Sequence, residues 1–173
     1  MTGRLAVVLL LAAAVLAGAA MFYLEQFHWY DVTEQGAGTI ALTAPDGTTE
    51  RIAVTALRLA EGDASPLKYR ACFEAGESAA ALAERFAPYP DPEPTVAPLT
   101  FPCFDADALA AALERGEARA FLGRANVTYG IDRVVAVGPG GAGHAWHQIN
   151  RCGARVFEGD PPPEGCPPPP SPE

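Results

Sequence analysis

The most regular feature of the chain is an uninterrupted apolar stretch near its start. Twenty consecutive residues from Leu5 to Leu24 carry no charge and are mostly leucine, alanine and valine. As a helix, this stretch is about 30 Å long, which matches the hydrocarbon thickness of a bilayer. Arg4 precedes it, whereas Glu25 and Asp31 follow. The positive-inside rule therefore predicts residues 1–4 in the cytoplasm and the rest of the chain outside.

The same stretch could instead be a signal peptide that is removed after export, because Ala17–Ala19 resembles a small-residue cleavage site. Signal peptides usually have an apolar region of about 7–15 residues, and this one is longer. The length therefore favours a retained transmembrane anchor at residues 5–24. Both alternatives place the following domain outside the cytoplasm.

After a predicted juxtamembrane linker at residues 25–37, hydrophobic and polar positions alternate in short runs that are typical of β-strands. Pro45, Asp46 and Gly47 separate the first two runs, and Asp-Gly between two such runs predicts a hairpin. Strands are predicted at 38–44, 48–59, 67–73, 118–124, 131–137 and 144–150.

Two short helices interrupt these strands. Leu82 and Phe86 keep helical spacing after Ser78, which can cap the start of the first helix. Asp105 can cap a second helix, which ends at Gly116. These patterns place one helix at about 78–86 and the other immediately after residue 105.

Two proline-rich segments have no regular pattern. Residues 88–102 contain six prolines and residues 158–173 contain eight, and proline breaks helices and central strands. The remaining elements predict an α+β domain at residues 38–157, followed by an acidic proline-rich tail at 158–173. We expect an antiparallel sheet of about five or six strands with two short helices on one face.

The charge balance restricts the partners. The chain has 21 acidic and 12 basic residues, which gives a net charge of -9. Such a charge repels nucleic-acid phosphates and anionic lipid headgroups. We therefore expect no nucleic-acid partner, and we expect the lipid bilayer to be contacted through residues 5–24.

The four cysteines, Cys72, Cys103, Cys152 and Cys166, are disulfide candidates. They are even in number, contain no Cys-x-x-Cys pair and lie in a domain predicted to be exported. Four cysteines allow three connectivities, of which proximity along the chain favours Cys72–Cys103 and Cys152–Cys166. Each such bond would stabilise the domain by about 3–4 kcal/mol on the loop-entropy model.

A zinc site is the alternative use of these cysteines, since His144-x-x-His147 precedes Cys152 and Cys166. On a strand, however, a spacing of three sends the two imidazoles to opposite faces. An exported location also favours disulfides over thiolates. We therefore expect no metal and no cofactor.

The sequence has no motif of nucleophilic catalysis. Its only serines are Ser65, Ser78 and Ser171, and none lies in a Gly-x-Ser-x-Gly elbow. An even cysteine count disfavours a free catalytic thiolate. The glycines at 138–143 lie between two predicted strands, so they do not predict a phosphate-binding loop. We therefore predict a non-enzymatic protein, although a site assembled from distant residues stays open.

Four segments behind the single anchor together carry a family resemblance. They are Tyr69–Phe73 (YRACF), Cys103–Ala106 (CFDA), Tyr129–Val134 (YGIDRV) and Trp146–Asn150 (WHQIN). In this order they resemble an uncharacterised family of small membrane-anchored proteins from alphaproteobacteria. The resemblance implies a bacterial envelope location and a shared four-cysteine framework, but no activity or site residue.

Members of such families are sometimes called histidine kinases. A histidine kinase needs a helical hairpin that carries the phospho-acceptor histidine and a separate nucleotide-binding domain. The single short α+β domain predicted here provides neither, so the sequence gives no support to histidine kinase activity.

The last predicted hairpin is the candidate interaction patch, because it combines a tryptophan with polar neighbours, as protein interfaces do. The patch consists of Tyr129, Asp132, Arg133, His144, Trp146, Gln148 and Asn150. The competing interpretation is that Trp146 packs beneath the proline-rich loop while Asp132 and Arg133 form a surface ion pair.

These observations favour a non-enzymatic periplasmic domain, tethered to the inner membrane, that contacts another envelope protein. The alternative is a periplasmic domain that binds a small molecule in a pocket between the helices and the sheet. An enzyme with a dispersed acid–base site ranks third.

Overall fold

A long exposed helix precedes the folded domain. The computed structural model describes residues 3–170, so Ser171 and the last residues of the predicted tail lie outside the described part. Helix α1 (Gly3–Tyr23) continues into a π-helical turn at Leu24–His28, and none of the α1 side chains is buried. Gly3–His28 is long and apolar enough to cross a membrane. The predicted apolar helix is therefore confirmed.

Six antiparallel strands form one sheet. They are β1 (Asp31–Thr43), β2 (Thr49–Glu61), β3 (Tyr69–Ala75), β4 (Arg119–Thr128), β5 (Ile131–Val137) and β6 (Ala142–Ile149). Their order across the sheet is β1-β2-β3-β6-β5-β4. Two consecutive three-stranded meanders are thus joined by the pairing of β3 with β6. The predicted α+β class is confirmed.

The β1–β2 hairpin closes through the predicted turn. The Asp46 carboxylate accepts hydrogen bonds from the Thr48 N–H at 2.9 Å and the Thr48 hydroxyl at 2.6 Å. Gly47 has a φ of 85°, which glycine adopts without steric cost. Thr43 then pairs with Thr49 at the end of the ladder. Local turn chemistry therefore sets the register of this hairpin.

Three short helices accompany the sheet: α2 (Ala79–Ala83), α3 (Ala106–Glu114) and α4 (Arg151–Phe157). The first two were predicted together with their caps. The Ser78 hydroxyl accepts from the Ala81 N–H at 3.2 Å, and the Asp105 carboxylate accepts from the Ala108 N–H at 3.0 Å. Both caps satisfy donors that a helix start leaves unpaired.

The sheet curls until its two edge strands meet. The Thr43 hydroxyl donates to the Gly123 carbonyl at 3.1 Å and so links β1 to β4. Gly123 is so close to β1 that an added Cβ would lie 3.2 Å from the Ala41 carbonyl oxygen. All six strands contribute to the inner core that the curl encloses, including Ile40, Leu42, Val54, Phe73, Phe121, Val135, Val137 and Ala145.

The outer face of the sheet carries a second core. This outer core combines side chains of the strands, of α3 and of the first proline-rich segment: Cys72, Phe101, Phe104, Leu109, Val134 and Trp146. The expectation that two helices share one face is wrong, because Leu82 of α2 packs in the inner core and Leu109 of α3 in the outer core. Both faces of the sheet are apolar, and each needs a cover.

Strand β1 begins inside the segment predicted as a linker at 25–37. Asp31 pairs with Glu61 and Val32 with Ala60, so residues 31–37 extend the β1–β2 ribbon. Nearly all side chains in this part of β1 are exposed. The segment therefore lacks the alternation that identifies a half-buried strand.

Helix α4 was not predicted. Asn150, which the sequence places at the end of the last strand, instead caps this helix. Its side-chain oxygen accepts hydrogen bonds from the N–H groups of Cys152 and Gly153, both at 3.0 Å. Asparagine is among the preferred caps, so a signal for the helix was present.

Two disulfides close the domain. Cys72 bonds to Cys103 and Cys152 to Cys166, with Cα–Cα distances of 6.3 and 5.8 Å. This connectivity is the one that proximity along the chain favours. The first bond ties the first proline-rich segment to β3, and the second ties the tail to α4.

Candidate binding groove

Trp146 lies inside the domain and not in an exposed patch. Its relative exposure is 0%, and it packs in the outer core with Phe101 and Phe104. The indole N–H donates to the Gln148 side-chain oxygen at 3.3 Å. Trp146 therefore supports the proline-rich segment from beneath, as the competing interpretation of the sequence expected.

Asp132 is the buried centre of a polar cluster. Its carboxylate accepts hydrogen bonds from the Asn126 N–H at 2.8 Å, the Asn150 amide at 2.7 Å and the Tyr89 hydroxyl at 3.2 Å. Burial and the Asp132 charge raise the pKa of Tyr89, so its hydroxyl stays protonated and donates. Three donors compensate the buried charge.

Arg133 lies on the opposite face of β5 from Asp132, so the surface ion pair expected between them does not form. Its Nε–H donates to His147 Nε2 at 3.0 Å, and its guanidinium lies 3.8 Å from the centroid of the Tyr69 ring. His147 Nδ1 lies 2.5 Å from the Pro66 carbonyl oxygen. Burial lowers the pKa of His147 to about 4, so its neutral ring can accept from Arg133.

His144 and His147 lie on opposite faces of β6, as the strand spacing predicts. His144 packs edge-on against Phe104, with ring centroids 5.6 Å apart, and burial lowers its pKa. The cysteines that would complete a zinc site are bound in disulfides. Among residues 3–170, no group of three or more metal-ligating side chains comes together.

A groove of about 740 Å³ adjoins the Asp132 cluster. Its walls come from the start of the first proline-rich segment, the ends of β4 and β6, helix α4 and the tail around Cys166. The apolar lining includes Pro88, Tyr89, Pro90, Leu122, Ile149 and Pro167. The polar lining includes Asp91, Glu93, Asp132, Gln148, Asn150 and Arg151. We call this site the α4 groove.

Hydrogen bonds fix the walls of the α4 groove. The Gln148 amide donates to the Asp91 carbonyl at 2.9 Å and accepts from the Glu93 N–H at 2.7 Å. On the other side, the Tyr129 hydroxyl donates to the Pro167 carbonyl at 3.0 Å. The disulfide between Cys152 and Cys166 holds the same tail. The groove is therefore preformed, which lowers the entropic cost of filling it.

The structure divides the predicted patch into three groups. Asp132, Gln148 and Asn150 line the α4 groove, and Tyr129 holds one of its walls. Trp146 and His144 pack in or against the outer core, whereas Arg133 lies on the inner face. The predicted patch thus combined residues that the pleat of the strands places on opposite faces of the sheet.

Sequence reasoning missed two basic residues with central structural roles. Arg70 is 4% exposed, and its guanidinium donates to the carbonyls of Thr95 and Val96 at 2.8 and 2.9 Å. It also donates to the carbonyls of Leu67 and Tyr69. Burial lowers the pKa of Arg70, but no carboxylate compensates the charge within residues 3–170.

Lys68 joins the domain to the end of the apolar helix. Its ammonium lies 2.9 Å from the Glu25 carboxylate, 4.6 Å from the centroid of the Trp29 ring and 5.1 Å from that of Tyr30. A further contact runs from the Leu99 N–H to the side-chain oxygen of Gln26 at 2.9 Å. The one lysine of the chain was the available signal for this junction.

The comparisons give a family but no functional relative. No curated protein and no solved structure matches the chain. A family model, described as a family of unknown function, matches residues 40–167. This range includes all the residues that line the α4 groove. On this match, the chain belongs to the family of unknown function DUF6446.

Proposed function

We propose that this protein is a membrane-tethered periplasmic domain that binds a segment of another bacterial envelope protein in the α4 groove. The single observation that carries this proposal is the preformed groove of about 740 Å³. In this proposal the protein is an accessory component of the inner membrane and not an enzyme.

The location is supported by the anchor and by the cysteines. The apolar helix has Arg4 before it and Glu25 and Asp31 after it, which favours a cytoplasmic start and an exported domain. Both disulfides require an oxidising compartment to persist. A periplasmic domain on the inner membrane satisfies both conditions.

The lining of the groove defines the chemistry of the bound segment. Tyrosine, isoleucine and prolines form the apolar part, and aromatic residues are the usual anchors of protein interfaces. Asp91 and Glu93 lie at the groove, and among residues 3–170 the only basic residue in its lining is Arg151. A segment with apolar side chains and one basic residue is therefore complementary to it.

Site-specific photocrosslinking in native membranes tests this proposal. Ala154 is exposed and lines the groove, so a benzoylphenylalanine at this position is expected to capture one protein. Ala108 is an exposed alanine on α3, outside the groove, and serves as the matched control. Adding Ile149→Asp within the groove should remove the adduct at position 154. Equal capture at both positions, or capture that survives Ile149→Asp, contradicts the proposal.

A second candidate function, binding of a small anion, is favoured by a cavity of about 210 Å³ at the inner face of the sheet. Arg133 and Arg51 line it together with Glu61. Within the described residues, the two terminal amino groups of Arg133 make no hydrogen bond. They are therefore available to a carboxylate or phosphate.

Calorimetric titration of the full-length protein with acetate and inorganic phosphate distinguishes this second candidate. Arg133→Gln should abolish any binding, whereas Arg124→Gln, at an exposed arginine of β4, should leave it unchanged. No heat from the native protein, or identical binding by both variants, rejects the anion site.

A further inference from the structure

Two apolar side chains of the first proline-rich segment are exposed next to the end of the anchor helix. Val96 is 76% exposed and Leu99 is 65% exposed. The backbone around them is fixed, because Arg70 binds the Val96 carbonyl at 2.9 Å and the Gln26 side chain accepts from the Leu99 N–H at 2.9 Å. Their exposure is therefore imposed by the fold and is not that of a free loop.

The contact with Gln26 places this segment at a definite depth. The charge-free stretch of the helix ends at Leu24, and two residues of helix advance the chain by about 3 Å. The polar layer on each side of the hydrocarbon core is about 5–8 Å deep. The Leu99 amide, bonded to the Gln26 side chain, thus lies within or at the border of the headgroup layer when the anchor spans the bilayer.

The exposed apolar surface is continuous with that of the anchor. Phe22, Tyr23 and Phe27 are each at least half exposed near the end of the helix, as expected for rings in the interfacial layer. Residues 95–104 contain no charge, in a chain with a net charge of -9. The segment is therefore a neutral apolar surface through which an acidic domain can approach a bilayer.

We propose that residues 95–100 form a second membrane contact, in which Val96 and Leu99 insert into the headgroup layer of the membrane that holds the anchor. This inference rests on the proposed membrane anchoring. The occupant of this surface is lipid and not a protein partner, because the surface adjoins the anchor. Two attachment points fix the tilt of the domain, so that the α4 groove keeps one orientation to the membrane.

Tryptophan quenching by brominated lipids tests the contact in full-length protein reconstituted into phosphatidylcholine vesicles. All variants are made in a Trp29→Phe parent protein, which lacks the native indole near the membrane. The buried Trp146 then contributes the same fluorescence to every sample. Leu99→Trp and Val96→Trp report on the segment. Phe22→Trp reports on the anchor, and Phe157→Trp, at a 55% exposed position of α4, is the matched control away from the junction.

Bromines at a shallow acyl position are expected to quench Leu99→Trp and Val96→Trp several-fold more than Phe157→Trp. Raising the salt concentration should leave this quenching unchanged, because the contact is apolar. Quenching at positions 96 and 99 no greater than at 157, with Phe22→Trp quenched, overturns the second contact and leaves the anchor intact. An unquenched Phe22→Trp overturns the anchor and this inference together. Quenching that salt removes shows an electrostatic contact and also overturns the proposal.

Discussion

The two proline-rich segments differ in how they are held. In the first, Phe101 is 0% exposed in the outer core, and Phe104, two residues after the segment, is 4% exposed there. Arg70 and Gln148 bind four backbone groups of this segment between residues 91 and 96. Proline prevents regular structure here, but aromatic burial and side-chain donors replace the missing backbone ladder.

The second segment, which the structure describes at residues 158–170, has no buried side chain there. Its side-chain links to the domain include the salt bridge between Arg155 and Asp160, the disulfide at Cys166 and the hydrogen bond from the Tyr129 hydroxyl to the Pro167 carbonyl. The comparison teaches that proline content alone does not decide how a segment is held to a domain. Buried apolar side chains and hydrogen bonds hold the first segment, whereas a covalent bond and contacts at the surface hold the second.

The largest difference is expected from aromatic truncation. Phe101→Ala should lower the free energy of unfolding by about 3–5 kcal/mol, because it leaves a cavity in the outer core. Pro169→Ala, at an exposed position of the second segment, should change it by less than about 0.5 kcal/mol. Urea unfolding of the two variants in the same detergent measures both values. Similar losses would show that the first segment is not part of the core.

Removal of the disulfides is the next largest change. The loops closed by the two bonds span 31 and 14 residues, so the loop-entropy model gives about 3.7 and about 3 kcal/mol. Cys72→Ser with Cys103→Ser should therefore lower the unfolding midpoint more than Cys152→Ser with Cys166→Ser. Thermal denaturation of the two double variants measures the order, and a reversed order would contradict the comparison.

Loss of single side-chain contacts should have a smaller effect. Gln148→Ala removes two hydrogen bonds to the first segment and the acceptor of the buried Trp146 indole N–H, and it should cost about 1–3 kcal/mol. Tyr129→Phe removes one exposed hydrogen bond to the second segment and should cost less than about 1 kcal/mol. Hydrogen exchange of the Glu93 amide should accelerate in the first variant only. Unchanged exchange there would mean that Gln148 does not hold the wall of the groove.

The smallest expected effect is a pH dependence limited to the end of the first segment, because His144 packs against Phe104, two residues after that segment. Burial lowers the pKa of His144 below its ordinary value of 6.5. As the pH falls below about 6.5, His144 is protonated in the unfolded chain before it is protonated in the folded protein. The free energy of unfolding therefore decreases as the pH falls from about 6.5 toward the lowered pKa of the folded state.

Limited proteolysis at residues 88–102 should accordingly be faster at pH 5 than at pH 7. Burial also lowers the pKa of His147, so its protonation destabilises the folded protein over the same direction of pH change. The contribution of His144 to the proteolysis rate is therefore the difference between the native protein and His144→Gln. Cleavage of the second segment should not change with pH. Equal acceleration in both segments would assign the effect to global unfolding.

Local signals predicted most of the secondary structure. The turn at Asp46 and Gly47, the caps at Ser78 and Asp105, and strand β5 follow from interactions between residues close in sequence. Helix α4 was missed because Arg151–Phe157 contains a glycine and no strong apolar repeat. The first half of β1 was missed because its side chains are exposed.

The candidate site was predicted only in part, because both faces of the sheet are covered. In β5, Ile131, Asp132, Val134 and Val135 are all buried, although neighbouring residues point to opposite faces. The sequence prediction therefore placed Asp132 and Arg133 in one patch, although the pleat puts them on opposite faces. Burial on both faces gave no indication of which residue reaches a groove. Tyr89, which reaches Asp132 across 43 positions, had no local signal at all.

The sequence by itself determined the apolar helix, the strand and turn pattern, and the favoured cysteine pairing, because each depends on composition or on contacts short in sequence. The tertiary structure decided the curl of the sheet, the burial of Trp146 and the assembly of the α4 groove. These features depend on which distant surfaces meet, and that is set by the packing of the whole chain into two cores.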